Sequence, residues 1–173
     1  NSILYVSILI PEHKTLQSNA LSENIKSFNF LKKFKHIKAV MIPKKLPKKE
    51  KINIAFAGQP NSGKSTLFNM MTGAHQHVAN YPGITVEKKT GEYFALDQSV
   101  FITDLPGTYS LTSYSPEERV TRNFILREKP ELLVNIADAS NLERHLYLTF
   151  QLLEMNCPIV MYLNKMDSAK NAG

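Results

Sequence analysis

The chain has 173 residues, 21 Lys and Arg against 15 Asp and Glu, one cysteine and 43% apolar residues. That length suits one domain of about 100–150 residues with an appendage, and the apolar share is enough for a core. The single Cys157 excludes an internal disulfide and fits a reducing compartment, while the longest apolar run, Ile3–Ile10, falls far short of the roughly 18 residues that span a bilayer.

In chain order, Ile3–Ile10 reads as a strand. Its lack of a basic start and a small-residue cleavage site argues against a secretory signal. Asn24–Val40 predicts a basic helix, with Ile25, Phe28, Leu31, Phe34 and Ile37 at steps of three. An arm that touches anionic lipid or RNA is one reading of this helix; an ordinary extension, or the end of a neighbouring domain, is the preferred one. Residues 43–51, with two prolines and five lysines, can neither propagate a helix nor bury much surface, and read as a solvated linker. Residues 1–51 carry eleven lysines and three glutamates, whereas 52–173 carry ten basic and twelve acidic residues. The basic balance therefore belongs to the front segment and not to the core.

From residue 52 the pattern is regular. Ile52–Ala57 predicts a strand ending at Gly58, and Lys64–Thr72 a helix with Leu67, Phe68 and Met71 on one face and Gly73 as its stop. Thr85–Leu96 and Ser99–Thr103 read as strands joined by a turn around Asp97 and Gln98. Pro116 opens a helix with Glu117 and Glu118 in its first turn and Val120, Phe124 and Ile125 as its buried stripe. Leu132–Ala137 and Ile159–Leu163 are nearly continuous apolar runs, as in strands covered on both faces. Between them Leu142, Leu146, Phe150 and Leu153 follow helical spacing. Strands alternating with helices predict an α/β fold with a doubly wound, mostly parallel sheet, whose ligands gather at the carboxyl ends of the strands.

Four motifs fall at those ends. Gly58-Gln59-Pro60-Asn61-Ser62-Gly63-Lys64-Ser65 matches G-x-x-x-x-G-K-[ST] between a strand and a helix. Its glycines let main-chain N–H groups wrap a phosphate, Lys64 reaches the outer phosphates, and Ser65 offers a hydroxyl to Mg²⁺. Asp104-Leu105-Pro106-Gly107 closes a strand; Asp104 can hold the magnesium shell, and the Gly107 amide can sense a γ-phosphate. Asn164-Lys165-Met166-Asp167 closes another. The Asp167 carboxylate can accept both N–H bonds of guanine, which adenine does not offer, and Asn164 would tie this loop to the phosphate loop. Thr85, after Asn80-Tyr81-Pro82-Gly83-Ile84, could place its hydroxyl on Mg²⁺ and its amide on the γ-phosphate, or simply open a strand as a β-branched residue.

Together these residues resemble a Ras-like P-loop GTPase. Longer phrases, from Gly58 to Asn69, Asn80-Tyr81-Pro82-Gly83-Ile84-Thr85-Val86-Glu87, Asp104-Leu105-Pro106-Gly107-Thr108-Tyr109-Ser110-Leu111, Tyr114–Val120 and Asn141-Leu142-Glu143-Arg144, resemble the G domain of the ferrous-iron transporter FeoB family. The likeness spans about residues 52–169. After an extension of unassigned role over 1–42 and the linker over 43–51, it implies a P-loop GTPase fold over 52–173 that stops before the family's fifth, base-contacting motif. It further implies binding of GTP and GDP with Mg²⁺, held by Ser65, Thr85 and Asp104, and adds Thr66, Gly83, Ile84, Leu105, Pro106, Lys165 and Met166 to the nucleotide contacts.

Lys64, Asn61, Thr85 and Gly107 are the implied catalytic set. Ras-type enzymes place a water-orienting glutamine just after the D-x-x-G glycine; Thr108 stands there, so intrinsic hydrolysis is expected to be slow. The resemblance implies that Asn61 coordinates K⁺, which would spread charge; the alternative is that Asn61 only serves the turn. The implied partner is a membrane transporter region of the same longer chain, at the cytoplasmic face of the inner membrane, with the present piece soluble, homo-oligomerisation open and no nucleic acid expected. An RNA-associated GTPase of ribosome assembly is the alternative, and Asn164 and Asp167 disfavour an ATPase. His75 and His77 read as exposed residues of a mobile loop, His13, His36 and His145 as isolated, Cys157 as a small buried group near a helix end, and no iron ligand is assigned.

Overall fold

The computed structural model describes residues 4–7, 51–95 and 98–171. The expected helix over Asn24–Val40, the linker as far as residue 50, and His13 and His36 lie outside these. The elements are β1 (Leu4–Ser7), β2 (Lys51–Gly58), α1 (Lys64–Thr72), β3 (Gln76–Asn80), β4 (Glu87–Ala95), β5 (Gln98–Asp104), α2 (Pro116–Glu128), β6 (Leu132–Asp138), α3 (Leu142–Leu153), β7 (Ile159–Asn164) and α4 (Met166–Asn171). The strands form one sheet in the order β1-β7-β6-β2-β5-β4-β3. Neighbours from β1 to β5 run parallel, and the β5–β4 and β4–β3 pairs are antiparallel. This is the mostly parallel, doubly wound arrangement that the alternation predicts.

Side chains alternate across the central strand. Ile54 and Phe56 of β2 join Phe68 of α1, Ile102 and Ile136 on one face. Ala55 and Ala57 face the other way, among Leu105, Ile125 of α2, Leu133, Leu146 and Leu152 of α3, and Ile159. One polar residue lies deep in β6: Asn135 is buried, and its amide donates to Thr149 Oγ1 of α3 at 2.7 Å. A buried amide so paired avoids most of its desolvation cost.

Helix boundaries follow local chemistry. Ser115 caps α2 by accepting from Glu118 N at 3.1 Å, Pro116 occupies the first turn, and the left-handed Lys129 ends the helix before Pro130. Glu118 then reaches back over the preceding loop, accepting from Ser110 Oγ, Thr112 Oγ1 and Tyr114 N at 2.6–3.0 Å. These bonds hold its carboxyl below the usual range.

Three expectations need correction, and one helical stripe drifts from the core. His75 to His77 is not a mobile loop: Gln76 and His77 begin β3, an exposed edge strand paired, among the described residues, only with β4. The strand read from Thr85 starts at Glu87 and leaves Thr85 in the preceding loop. Lys51, read as linker, is the first residue of β2. Phe150 is 37% exposed, while Leu148 and Leu152 fill the core beside Leu146. Successive steps of four residues overshoot a helical turn by about 40° each, so Leu142–Leu146–Phe150 walks off the buried face.

Candidate functional site

The registers carry four polar strand ends to one edge of the sheet. Phe56 of β2 is level with Asp104 of β5, Gly58 with Ile136 of β6, and Asp138 of β6 with Asn164 of β7. The phosphate-loop motif, Asp104 and Asn164–Asp167 are therefore gathered, as their positions after apolar strands predict.

Between β2 and α1, residues 59–63 make a tight loop in which Ser62 N donates to Gln59 O at 3.2 Å. Asn61 and Gly63 are left-handed, at φ 62° and 89°. Asparagine tolerates that region; at Gly63 a Cβ would also collide with the Asn164 side-chain amide. Helix α1 begins at Lys64 without a side-chain cap. Its first N–H groups and the positive end of its dipole therefore serve the loop, a geometry suited to an anion.

Lys64 and Asp104 are both buried, with Nζ and Oδ1 2.5 Å apart, and Ser65 Oγ donates to Oδ2 at 3.1 Å. One carboxylate thus collects the lysine and hydroxyl on which phosphate and magnesium chemistry depends. The segment after Asp104 is fastened to the loop: Leu105 N donates to Phe56 O at 3.0 Å and Thr108 N to Gly58 O at 3.2 Å. A Cβ on Gly107 would stand 3.3 Å from the Pro60 backbone, so the two loops meet at main-chain distance.

The polar chemistry of this centre is not saturated from within. Ser62 Oγ, Gln59 Oε1 and Thr108 Oγ1 are buried and have no hydrogen-bond partner among the described residues, and the same holds for the Tyr81 hydroxyl. Unpaired groups of this kind are expensive unless a ligand or water meets them. With the uncapped helix and the Lys64–Ser65–Asp104 cluster, they fit a triphosphate and a hard cation. Burial, with the charges of Asp104 and Glu128, pushes the Tyr81 hydroxyl up to about 12, so it stays a neutral donor.

Asn164 ties the base-side loop to the phosphate loop by donating to Ser62 O at 3.0 Å, while its oxygen accepts from Lys165 N at 2.9 Å. Asp167 is exposed in the first turn of α4, free to meet a ligand. Thr85 is exposed in a loop closed by Tyr81 N to Val86 O at 2.9 Å and Ile84 N to Tyr81 O at 3.2 Å, with Gly83 left-handed. No hydrogen bond among the described residues joins Thr85 to Ser65 or Asp104, so it stands apart from the cluster.

Several contacts of the site are not among the roles the motifs assign. Gln59 Nε2 donates to Arg144 O of α3 at 2.6 Å, and the Arg144 guanidinium lies 4.7 Å from the Tyr109 ring. Gln151 Oε1 accepts from Leu111 N at 2.6 Å. Asp138, buried at the end of β6, holds Lys165 Nζ at 2.7 Å. An aspartate closing a buried apolar strand at the ligand edge was the available signal, as it was for Asp104. Among the described residues no three His, Cys, Asp or Glu side chains gather as a metal cluster. Cys157 is buried, its thiol donating to Pro130 O at 3.3 Å, and burial pushes that thiol up.

The profile of the family described as ferrous iron transport protein B matches residues 52–173. The Fe(2+) transporter FeoB of Salmonella typhimurium is 50% identical over 125 residues, covering 70% of this chain and 16% of that protein. The chain thus spans about a sixth of such relatives. The crystal structure of the G domain of the T. maritima FeoB iron transporter superposes with a TM-score of 0.67 at 41% identity, covering 70% of this chain and 76% of that one. A GDP-bound point mutant of the S. thermophilus FeoB G-domain gives a TM-score of 0.67 at 47% identity, covering 70% and 46%. Those relatives give the ribosome-assembly alternative no support. With its fold, its strand-end motifs and these matches in agreement, the chain belongs to the ferrous iron transport protein B family.

Proposed function

We propose that residues 52–173 form the GTP-binding and GTP-hydrolysing domain of a ferrous-iron transporter, a nucleotide switch at the cytoplasmic membrane face that serves a membrane region of a longer chain. The observation that carries this reading is the strand-end convergence. Lys64, Ser65 and Asp104 meet beneath a phosphate-shaped loop, and Asn164 bonds the guanine-reading motif to that loop. Binding of GDP by a relative of the same fold supports the choice of guanine. Among the described residues no helix is long and apolar enough to cross a membrane, so the transport path is assigned to the remainder of the longer chain.

In this reading, main-chain N–H groups of residues 59–66 hold the phosphates, and Lys64 turns from Asp104 toward the β- and γ-oxygens. Ser65, Thr85 and Asp104 would hold Mg²⁺, which when bound would supply positive charge to offset that of the phosphates. Gly83 and Ile84 bring Thr85 to the γ-phosphate, and loop 81–86 relaxes when that phosphate leaves. Gly107, with Leu105 and Pro106, reports the γ-phosphate to the segment that follows. Met166 and Lys165 flank the base, and Asp167 accepts its two N–H bonds. Thr108 supplies no water-orienting amide, so turnover is slow, and Asn61, exposed at φ 62° on the rim of the loop, is assigned to a K⁺ ion that offsets transition-state charge.

The test is GTP turnover with Mg²⁺ in KCl against NaCl. Potassium is expected to raise the rate about tenfold or more, and Asn61→Ala to lose that stimulation. Equal stimulation in the variant would remove Asn61 from the role; no GTP turnover under either salt would overturn the hydrolytic reading.

A further inference from the structure

Asp138 lies outside every motif named so far, yet it is the best-satisfied carboxylate at the ligand edge. Oδ1 accepts from Ser140 N at 2.9 Å and Ser140 Oγ at 2.6 Å, and Oδ2 accepts from Lys165 Nζ at 2.7 Å. The parallel β6–β7 register sets Asp138 level with Asn164, so an acid 27 residues upstream is placed beside the second residue of Asn164-Lys165-Met166-Asp167. Lys165 is bent toward it by a left-handed backbone at φ 57°, which Asn164 Oδ1 fastens through the Lys165 amide. The Lys165 side chain stays 40% exposed while that of Asp138 is only 11% exposed. The ammonium is anchored while the side chain as a whole stays accessible.

We propose that Asp138 is a positioning residue of the base site, holding Lys165 across the ends of β6 and β7 so that its stem lines the purine position and its charge is kept away from Asp167. The second part follows from electrostatics. Lys165 and Asp167 stand two residues apart at the start of α4, and an ammonium without another carboxylate would pair with Asp167, competing with the N–H groups of the base. Asp138 takes that ammonium, and Ser140 keeps Asp138 from turning away. The two aspartates therefore divide the work: one binds the lysine, the other is left for the ligand. Charge-assisted bonds at 2.6–2.9 Å are of the strong class, and partial burial shields the pair from the screening that weakens surface ion pairs.

This proposal rests on guanine occupying the Asn164–Asp167 site, and its experiment separates the two. Calorimetry on the whole chain would give Kd for GDP with wild type, Asp138→Asn, Lys165→Met and the double variant. Each single change is expected to weaken GDP about tenfold, and the double to be no weaker than the weaker single, because coupled neighbours are not additive. Pyrophosphate, which occupies only the phosphate loop, should bind all four within about twofold; a merely structural role would weaken pyrophosphate too. Ser140→Ala, which removes only the hydroxyl bond to Oδ1 and keeps the main-chain one, should cost about twofold to threefold, and nothing further once Lys165 is Met; it decides the matter if Asp138→Asn does not fold. Unchanged GDP affinity in the Asp138 or Ser140 variant, a full loss repeated on the Lys165→Met background, or an equal loss for pyrophosphate would overturn the assignment. If wild type shows no preference for GDP over ADP, the guanine reading itself fails, whatever the cycle gives.

Discussion

Two lysine–aspartate pairs stand at the same edge of the sheet. Lys64 and Asp104 are buried, with side chains 8% and 4% exposed, whereas Lys165 and Asp138 are 40% and 11% exposed. The first pair joins β5 to the helix that follows β2, and the second joins the neighbouring ends of β6 and β7. In the proposed function, identical chemistry serves two ends of one ligand. At the phosphate end the lysine would then leave its aspartate for another anion, and a dry pair makes both states strong. At the base end the lysine has no reason to leave, and water on its stem costs little. What distinguishes a switch from a brace here is burial, together with what else competes for the lysine.

The sharpest way to break this contrast is to remove each cation. Lys64→Ala leaves Asp104 buried with only Ser65 as partner. It should destabilise the chain by about 3 kcal/mol in urea unfolding and abolish GTP turnover, whereas Lys165→Ala should cost less, about 1 kcal/mol, because the lysine is 40% exposed and Ser140 keeps both its bonds to Asp138. Equal losses would erase the distinction. A second change attacks the join between the two ends: Gly63→Ala forces a left-handed backbone on alanine and pushes a methyl into Asn164. It should cost about 2 kcal/mol and weaken GDP at both ends, and a variant as stable as wild type would show that the loop relaxes freely.

The smallest expected effect sharpens the base end. His145 is buried in α3, and burial depresses its pKa below the usual 6.5; the nearby Asp138 opposes this, while Arg144 and Lys165 add to it. Below pH 6.5 the unfolded chain therefore takes up a proton that the folded chain resists. The stability from this site is full above that pH and is lost as pH falls from the usual value toward the folded one. Thermal unfolding should show a decline as pH falls below about 6.5 that is shallower in His145→Gln; identical slopes would mean that the imidazole charges without cost in the fold.

The phosphate end was readable in the sequence because its residues are contiguous. Gly58–Ser65 sits between an apolar run and a helix stop, and Asp104 closes another apolar run. The central parallel strands were readable for the same reason, since burial on both faces writes a continuous apolar stretch. Gln76–Asn80 was not, because β3 is exposed at every position and pairs on one side only, leaving no alternation to detect. The helical spacing through Phe150 was legible, but not that Phe150 leaves the buried face, because spacing by four follows one face for only about two turns. Asp138 could be seen as an acid at a strand end, but its partner is chosen by the β6–β7 register, which no local pattern encodes. The link from Gln59 through Arg144 to Tyr109 likewise depends on α3 crossing the end of the phosphate loop.

The central claim is that a main-chain cradle holds the phosphates while Asp167 reads guanine, and one exchange of atoms addresses it directly. Calorimetry with Mg²⁺ would compare guanosine and xanthosine diphosphates on wild type and on Asp167→Asn, since xanthine carries a carbonyl where guanine carries its amine. The account predicts that wild type prefers the guanosine nucleotide and that Asp167→Asn reverses the preference, an overall change of about a hundredfold or more, because an amide N–H now donates where the carboxylate accepted. An Asp167→Asn variant that keeps the wild-type preference would contradict it.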